Sequence, residues 1–504
     1  MRFPRYEWRV WDNRIERNSW LRQHRRVQTG LSRIFLALFL VFFPKAAFGQ
    51  VELWVSNPDN SALFQKQNAA LTFTTGTYEH PTIAVDDTRT YQTIDGFGFT
   101  LTGGSAMHIV RMASAARAAL LRELFATDGT NIGTSYLRLS IGASDLNERV
   151  FSYNDLPAGQ IDVEMKKFDL GPDRADVIPV LKEILAINPA IKLMGSPWSA
   201  PTWMKTTNDT RGASLKPEFH DAYARYFVKY IQAMKAEGIR IDAITIQNEP
   251  LHPGNNPSMF MSAPQQATFI KRNLGPALAA AKLDTKIVLY DHNCDRPDYP
   301  ISILNDPEAA KHVDGSAFHL YAGKIEALTK VNDAHPNKNI YFTEQWVGAP
   351  GNLHKDLTWH VRELIIGATR NWSRTVLEWN LASKFTLGTA HGPGRMQPVP
   401  RRRHHRRQQR HAQSGLLHHR ARGQIRAARL GAYCVQHAAG APQRRLQDTG
   451  RKARLDRAQQ HSKAANLQHL VSGQARNVRA EWQCGGDLCL VATVEPAGGD
   501  LRSL

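Results

Sequence analysis

Between residues 51 and 385 short apolar runs rich in β-branched residues, eight in all, alternate with longer stretches of amphipathic, helical spacing. The apolar runs are 92–101, 135–141, 191–196, 241–247, 286–290, 313–319, 339–343 and 375–379, and helices are predicted at 114–125, 173–187, 217–237, 263–282 and 356–370. Strands that read as continuous apolar runs are buried on both faces, the condition of a parallel sheet covered by helices. Eight of them can close the sheet on itself, so the expected fold is α/β, a (β/α)8 TIM barrel over 91–385. Residues 50–90 alternate as antiparallel strands do, at 71–75 and 82–85, and are expected to start a small β-sandwich side domain.

In such a barrel the strand bodies fill the core and the chemistry collects at the strands' C-terminal ends. Arg138 and Asp145 follow the second run, Trp198 and Trp203 the third, Asn248 and Glu249 the fourth, and Asp291, His292 and Asn293 the fifth. His319 and Tyr321 follow the sixth, Glu344 and Trp346 the seventh, and Glu378, Trp379 and Asn380 the eighth. A rim of carboxylates, amides and indoles suits carbohydrate, whose hydroxyls take polar neighbours while its C–H faces pack on rings. Glu249 and Glu344 each end an apolar strand and fall three strands apart, across the mouth. Acetal cleavage needs one protonated carboxyl to donate to the leaving oxygen and one ionised carboxylate at the anomeric carbon. A salt bridge to a neighbour such as Arg138 explains either Glu alone; the pair, with Asn248 beside one, favours catalysis. His292 and Asn293 read equally well as groups satisfying strand-end backbone, and the loop HPGNNP at 252–257 either borders the site or merely turns the chain. No metal-ligand spacing occurs, and two carboxylates and water need no cofactor.

Seven strings in chain order carry a family likeness: TIDGFGFTLTGGSA at 93–106, YLRLSIGASD at 136–145, GSPWSAPTWMKT at 195–206, TIQNEP at 245–250, FHLY at 318–321, FTEQWVG at 342–348 and EWNLA at 378–382. Over 51–385 the chain resembles glycoside hydrolase family 30, the glucosylceramidase-like enzymes. The resemblance implies a retaining hydrolase of β-D-glucosidic bonds, with Glu249 as acid/base and Glu344 as the nucleophile that forms a glycosyl-enzyme. It implies that Asn248 binds the sugar 2-hydroxyl, that Asp145, Trp198 and Trp379 line the glycone pocket, and that Arg138, His319 and Tyr321 support the nucleophile and sugar. Trp346 joins them at the rim as a substrate-binding residue. The implied substrates are a β-glucoside, a glucan or a glycolipid such as glucosylceramide. Activity as a β-1,6-glucanase or β-xylosidase is the alternative within the family. Leu146 and Leu320 replace aromatic rings of the lysosomal relative, so the aglycone side differs. An inactive carbohydrate-binding protein is the alternative outside enzymes.

The formal net charge of +19 invites a nucleic-acid reading until it is divided along the chain. Residues 1–33 carry nine Lys and Arg against three Asp and Glu, residues 391–504 carry 21 against six, and the body between carries 34 against 36. A near-neutral body has no field to select nucleic acid or an anionic membrane. Four cysteines, only Cys294 of them in the body, exclude a disulfide scaffold. At the N-terminus, basic residues precede a ten-residue apolar run, 34–43, and then the small residues Ala46, Ala47 and Gly49. Residues 1–49 therefore read as an extension ending in a signal peptide cleaved near Gly49, for a secreted or periplasmic product. Ten apolar residues fall short of ~30 Å of hydrocarbon, so no integral membrane segment is expected after cleavage. The 33 residues ahead of the run are long for a signal and fit a start downstream, at Val27 or Leu31.

From 386 to 504 the character changes: residues 391–504 hold 19 Arg but two Lys, nine of the chain's 20 His, and no sustained periodicity. A run such as RRRHHRRQQR is either a polyanion-binding tail or translation in a shifted frame. Advanced by one base, with permissible codons, 387–399 can encode Trp-Glu-Pro-His-Thr-Asp-Pro-Gly-Gly-Cys-Asn-Gln-Cys, resembling the family's segment after the eighth strand. Residues 411–433, advanced the same way, can give a string resembling the family's returning β-domain. The expectation is a frameshifted, disordered basic tail in place of the sandwich's remainder, which leaves the strands of 50–90 an unpaired edge.

Overall fold

The computed structural model describes residues 52–68 except 58 and 60, then 82–85, 89–347 and 351–382, and in the tail 464–471, 474–482 and 489–492. The expected signal peptide and the shifted-frame windows 387–399 and 411–433 lie outside the described residues.

Eight parallel strands close a barrel in chain order: β1 Gly96–Leu101, β2 Tyr136–Ile141, β3 Lys192–Pro197, β4 Ala243–Thr245, β5 Lys286–Cys294, β6 Val313–Gly323, β7 Asn339–Glu344 and β8 Ser373–Asn380. Closure runs through β8 and β1, where Val376 stands opposite Phe97 and Leu377 opposite Gly98. The expected helices appear as Ser114–Phe125, Val177–Ile187 and His220–Ala236, each burying an apolar stripe such as Val177, Val180, Leu181 and Ile184. The helix expected over 263–282 is broken: Ala263–Phe269 passes into a wider π turn at Ile270–Leu274 before Gly275–Ala280. Pro276 explains this, because it has no N–H to donate back to the preceding turn. The helix expected at 356–370 runs from Leu353 and widens likewise at His360–Ala368. Periodicity missed Gly103–Val110, Asp298–Leu304, Pro307–Ala310 and Ala327–Ala334, all of eight residues or fewer and too short to establish a 3.6-residue period.

Inside the barrel, seven strands each give one residue to a buried cluster: Tyr136, Met194, Ala243, Val288, Ala317, Tyr341 and Leu377. β1 has Gly98 at this level, where a Cβ would lie 1.8 Å from the carbonyl oxygen of Tyr136. Strand side chains alternate, so the same face returns two residues later. There stand Arg138, Ser196, Thr245, His319 and Thr343, all buried. A polar layer thus caps the apolar one at the C-terminal end. β5 breaks the alternation, because its register slips between Tyr290 and His292 and the φ angles of Tyr290 and Asp291 are 73° and 68°. This bulge turns Asp291 into the polar layer and leaves Tyr290 packed on Tyr299 and Phe318.

Beside the barrel, Glu52–Val55 pairs with Gln65–Lys66, and Trp54 stacks on Phe64 with their centroids 4.7 Å apart, against Leu357. The expected unpaired edge is corrected by the tail strands. Cys489–Ala492 pairs in parallel with 52–55, and Gln474–Trp482 pairs in parallel with 82–85. Ala464–Val471 and Gln474–Trp482 form an antiparallel pair separated by two residues, the spacing hairpins favour. Polar residues such as Gln468, Arg476 and Arg479 interrupt their alternation and hid them from the periodicity. Among the described residues no helix is long and apolar enough to cross a membrane.

Outside the sheet a buried tyrosine stack, Tyr153 on Tyr226 and Tyr230, ends on a carboxyl: the Tyr153 hydroxyl donates to Asp173 at 2.5 Å. Burial pushes Asp173 up to about 8, against the pull of that hydrogen bond. Unfolded Asp titrates at ~3.9, so over the interval up to the folded value the native state holds a proton the unfolded chain has lost, and stability falls as pH rises. Asp173→Asn keeps an acceptor for Tyr153 and removes the titration. Its gain over the wild type in urea melts is expected to grow from near zero at about pH 4 to about 1–3 kcal/mol at about pH 8. A pH-independent difference would refute the assignment.

Candidate active site

Arg138 is fully buried at the centre of the polar layer. Its Nη1 donates to Glu344 Oε2 at 2.6 Å, and its Nη2 reaches Asn248 Oδ1 at 2.6 Å, Asp291 Oδ2 at 2.8 Å and Ser196 Oγ at 3.1 Å. The guanidinium face packs near Trp198 and Trp379, 4.9 and 5.9 Å from the ring centroids. One cation thus ties together β2, β3, β5 and β7 and the segment that follows β4. Asp291 is the matching anion. It also accepts from Ser196 and Thr245 at 2.7 Å, from Thr343 at 2.7 Å and from His319 Nε2 at 3.1 Å. Burial raises its carboxyl, but Arg138 and His319 hold it well below the usual range. Hydroxyls at positions that alternation sends inward are what make this possible.

The two candidate glutamates meet on His319, whose Nδ1 lies 3.4 Å from Glu249 Oε1 and 3.9 Å from Glu344 Oε1. Laid end to end, those contacts cap the separation of the two oxygens at about 7 Å, which admits the ~5–5.5 Å of a retaining pair and excludes the wide end of the ~6.5–9.5 Å inverting range. Both oxygens of Glu344 have donors, Arg138 on Oε2 and the Tyr321 hydroxyl on Oε1 at 3.0 Å. Burial raises Glu344 against His319 and Arg138, and the charges of Glu249 and Asp291 tip it upward. Its two donors keep it an acceptor, as an ionised carboxylate is. Glu249 is also raised by burial, but His319, His292 and His252 outweigh that and hold it below the ordinary range. Burial alone would lower His319; the Glu344 charge and the bonds to Asp291 and Glu249 push it up to about 9. The proton that Glu249 lacks therefore sits on the adjoining Nδ1. Glu249 itself has a φ of 48°, a strained conformation for a side-chain-bearing residue at the strand end.

The remaining sequence-predicted residues divide between pocket and rim. Trp198 and Trp379 are buried with centroids 5.2 Å apart. Asp145 is half-buried, but its Oδ1 is sealed from solvent without a hydrogen-bond partner, and desolvation with the charge of Glu344 pushes the carboxyl up to about 7. Such an acceptor suits a sugar hydroxyl. Tyr321 is 42% and Trp346 56% exposed, so both belong to the open edge of the site. The loop 252–257 does border the site, since Asn255 Nδ2 donates to Glu249 Oε2 at 3.2 Å. Asn293 accepts from the backbone N–H of Tyr321 at 3.0 Å, a strand-end role, whereas His292 Nδ1 is buried without a hydrogen-bond partner. Sequence reasoning placed Asp291 at a strand end but missed it as the counter-charge of Arg138; the signal was a carboxylate closing an apolar strand, the same one that marked Glu249.

Replacing Arg138 by Met leaves Asp291 and Glu344 as buried charges without their cation. The expected loss in denaturant melts is about 3–5 kcal/mol, with hydrolysis abolished. Arg138→Lys, a compact charge unable to span four acceptors, is expected to keep more stability than Met but little activity. Equal melts for Met and wild type would overturn this account.

The sequence profile of the glycosyl hydrolase family 30 TIM-barrel domain matches residues 94–391. An endo-1,6-β-D-glucanase of Neurospora crassa is 36% identical over 370 residues, covering 70% of this chain and 75% of that protein. Lysosomal acid glucosylceramidase of Mus musculus is 34% identical over 275 residues, 51% of this chain and about half of the relative, 52%. Among solved structures, an endo-β1,6-glucanase has a TM-score of 0.61 and 36% identity, covering 65% of this chain and 73% of the other. Closed parallel barrel, paired strand-end glutamates and family match agree: the chain belongs to glycoside hydrolase family 30 and is a glycoside hydrolase.

Proposed function

We propose that the chain hydrolyses β-1,6-linked glucan with retention of anomeric configuration, Glu344 acting as nucleophile and Glu249 as acid/base. The observation that carries the reading is the pair of strand-end glutamates joined through His319, one held as an acceptor by Arg138 and Tyr321 and the other one hydrogen bond from a proton. Glu344 attacks the anomeric carbon while Glu249 passes to the departing oxygen the proton it draws from His319 Nδ1, which leaves Glu249 ionised. Water then displaces Glu344 from the glycosyl-enzyme, and Glu249 takes the water's proton. Asn248, whose Oδ1 is engaged by Arg138, is left to offer its N–H to the sugar 2-hydroxyl. Glucan is favoured as substrate because the endo-1,6-β-glucanase relative matches over more of the chain than the glucosylceramidase does. Release of one β-glucosyl unit from a glycolipid is the second reading, favoured by the glycone side that the buried Trp198 and Trp379 form with the half-buried Asp145. The basic-then-apolar N-terminus makes export part of the proposal.

Linear β-1,6-glucan, an aryl β-glucoside and glucosylceramide, assayed side by side with the full chain, test the substrate. Glucan cleavage with the β-anomer appearing first by NMR is expected, with Glu344→Gln inactive and Glu249→Gln slower by about 10²–10⁴-fold. Cleavage of the glycolipid alone would support the second reading, and first appearance of the α-anomer would remove the double displacement. Because Asp145 accepts more strongly when ionised, kcat/KM is expected to rise with pH through about 7, and Asp145→Asn to lose that limb.

A further inference from the structure

We propose that Glu249, His292 and His319 form a binding site for a divalent transition metal, of which Zn2+ is the natural probe, and that the ion inhibits the enzyme by occupying its acid/base. Four observations converge on these side chains. Their ligand atoms all lie within 4.8 Å of one another, with Glu249 Oε1 3.4 Å from His319 Nδ1 and 3.8 Å from His292 Nδ1. Two ligand atoms on a tetrahedral zinc stand roughly 3.3–3.4 Å apart for bonds of ~2.0–2.1 Å, so the Glu249–His319 contact already has that spacing, the Glu249–His292 contact must close by a few tenths of an ångström, and the two imidazoles, within 4.8 Å of each other, must swing together around the ion. His292 Nδ1 has no hydrogen-bond partner although its side chain is only 9% exposed, and it points at Glu249. His319 Nε2 is bonded to the Asp291 carboxylate at 3.1 Å, which directs Nδ1 toward Glu249 as a lone pair once its proton leaves. A ligating imidazole backed by a carboxylate is the usual outer arrangement of zinc histidines. Asn255 engages the other oxygen of Glu249 and leaves Oε1 to the imidazoles.

Two imidazoles and one carboxylate supply three of four tetrahedral positions, and a water on the sugar side completes the set. Binding exchanges the proton on His319 Nδ1 for the metal and releases it to solvent. With Oε1 in a metal bond, Glu249 can neither deliver nor take a proton, so the ion is an inhibitor and no participant in hydrolysis. The inhibition rests on Glu249 being the acid/base; the binding does not.

The test is calorimetric titration of the full chain with ZnCl2, with CoCl2 followed by visible absorption as a second readout of tetrahedral ligation. Wild type, His292→Gln, Glu249→Gln and Glu344→Gln are compared. Histidines elsewhere in the chain contribute heat common to all four, so the site is the component that differs. The expected result is one equivalent bound by the wild type and weakened at least roughly 10–100-fold in His292→Gln and Glu249→Gln, while the inactive Glu344→Gln keeps it. Zinc inhibition, normalised to each protein's own rate, should weaken in parallel in His292→Gln. Wild-type titrations identical to those of His292→Gln and Glu249→Gln overturn the site. Binding that follows the prediction without inhibition keeps the site and counts against Glu249 as acid/base.

Discussion

The guanidinium of Arg138 is the constraint on which the mouth of this barrel depends. It is wholly removed from water, and a cation in that position is tolerable only with nearby anions and acceptors on its terminal nitrogens, its buried Nε having none. Asp291 and Glu344 supply the charges, Asn248 and Ser196 the remaining oxygens, and Trp198 and Trp379 the polarisable walls. They come from five places around the ring, so the cation fixes the spacing of strand ends far apart in sequence. Neutralisation is shared unequally, and this is what matters for chemistry. Asp291 is surrounded by five donors and is locked as an anion, whereas Glu344 has two and keeps a face for the sugar.

Much of this was legible in the sequence because it follows from alternation. Eight apolar runs specify the barrel, and the strand ends named Arg138, Glu249, His319 and Glu344 because inward-facing polar residues have nowhere to go except the C-terminal layer. Asp291 escaped because its place obeys the opposite parity. Counting by twos along β5 from Val288 points Tyr290 inward, and only the bulge at Tyr290 and Asp291 exchanges the two. A bulge leaves no trace in hydropathy. The contact of Asn255 with Glu249 was hidden for a related reason, since a loop's path is set by its landing points and not by its own pattern. The tail strands at 464–482 were missed because polar interruptions mask a two-residue period over so few residues.

In the double displacement we propose, the position of His319 also accounts for how one carboxyl would act as an acid and then as a base. In the sugar-free site the largest push keeping its imidazole protonated is the negative charge of Glu344. In the proposed reaction, attack by Glu344 converts that charge into a neutral ester. The imidazole then loses its strongest electrostatic support, and Glu249 loses the like charge that resisted its own ionisation. Both effects leave the pair better able to part with a proton during the first step and leave Glu249 ionised for the second, when it must accept one from water. Hydrolysis restores the charge on Glu344 and with it the proton on His319. The three groups therefore titrate as one unit whose state is set by whether the nucleophile is free or esterified. A buried imidazole between two carboxylates, backed by the permanently charged Asp291, is an economical way to build that coupling into a rigid strand framework.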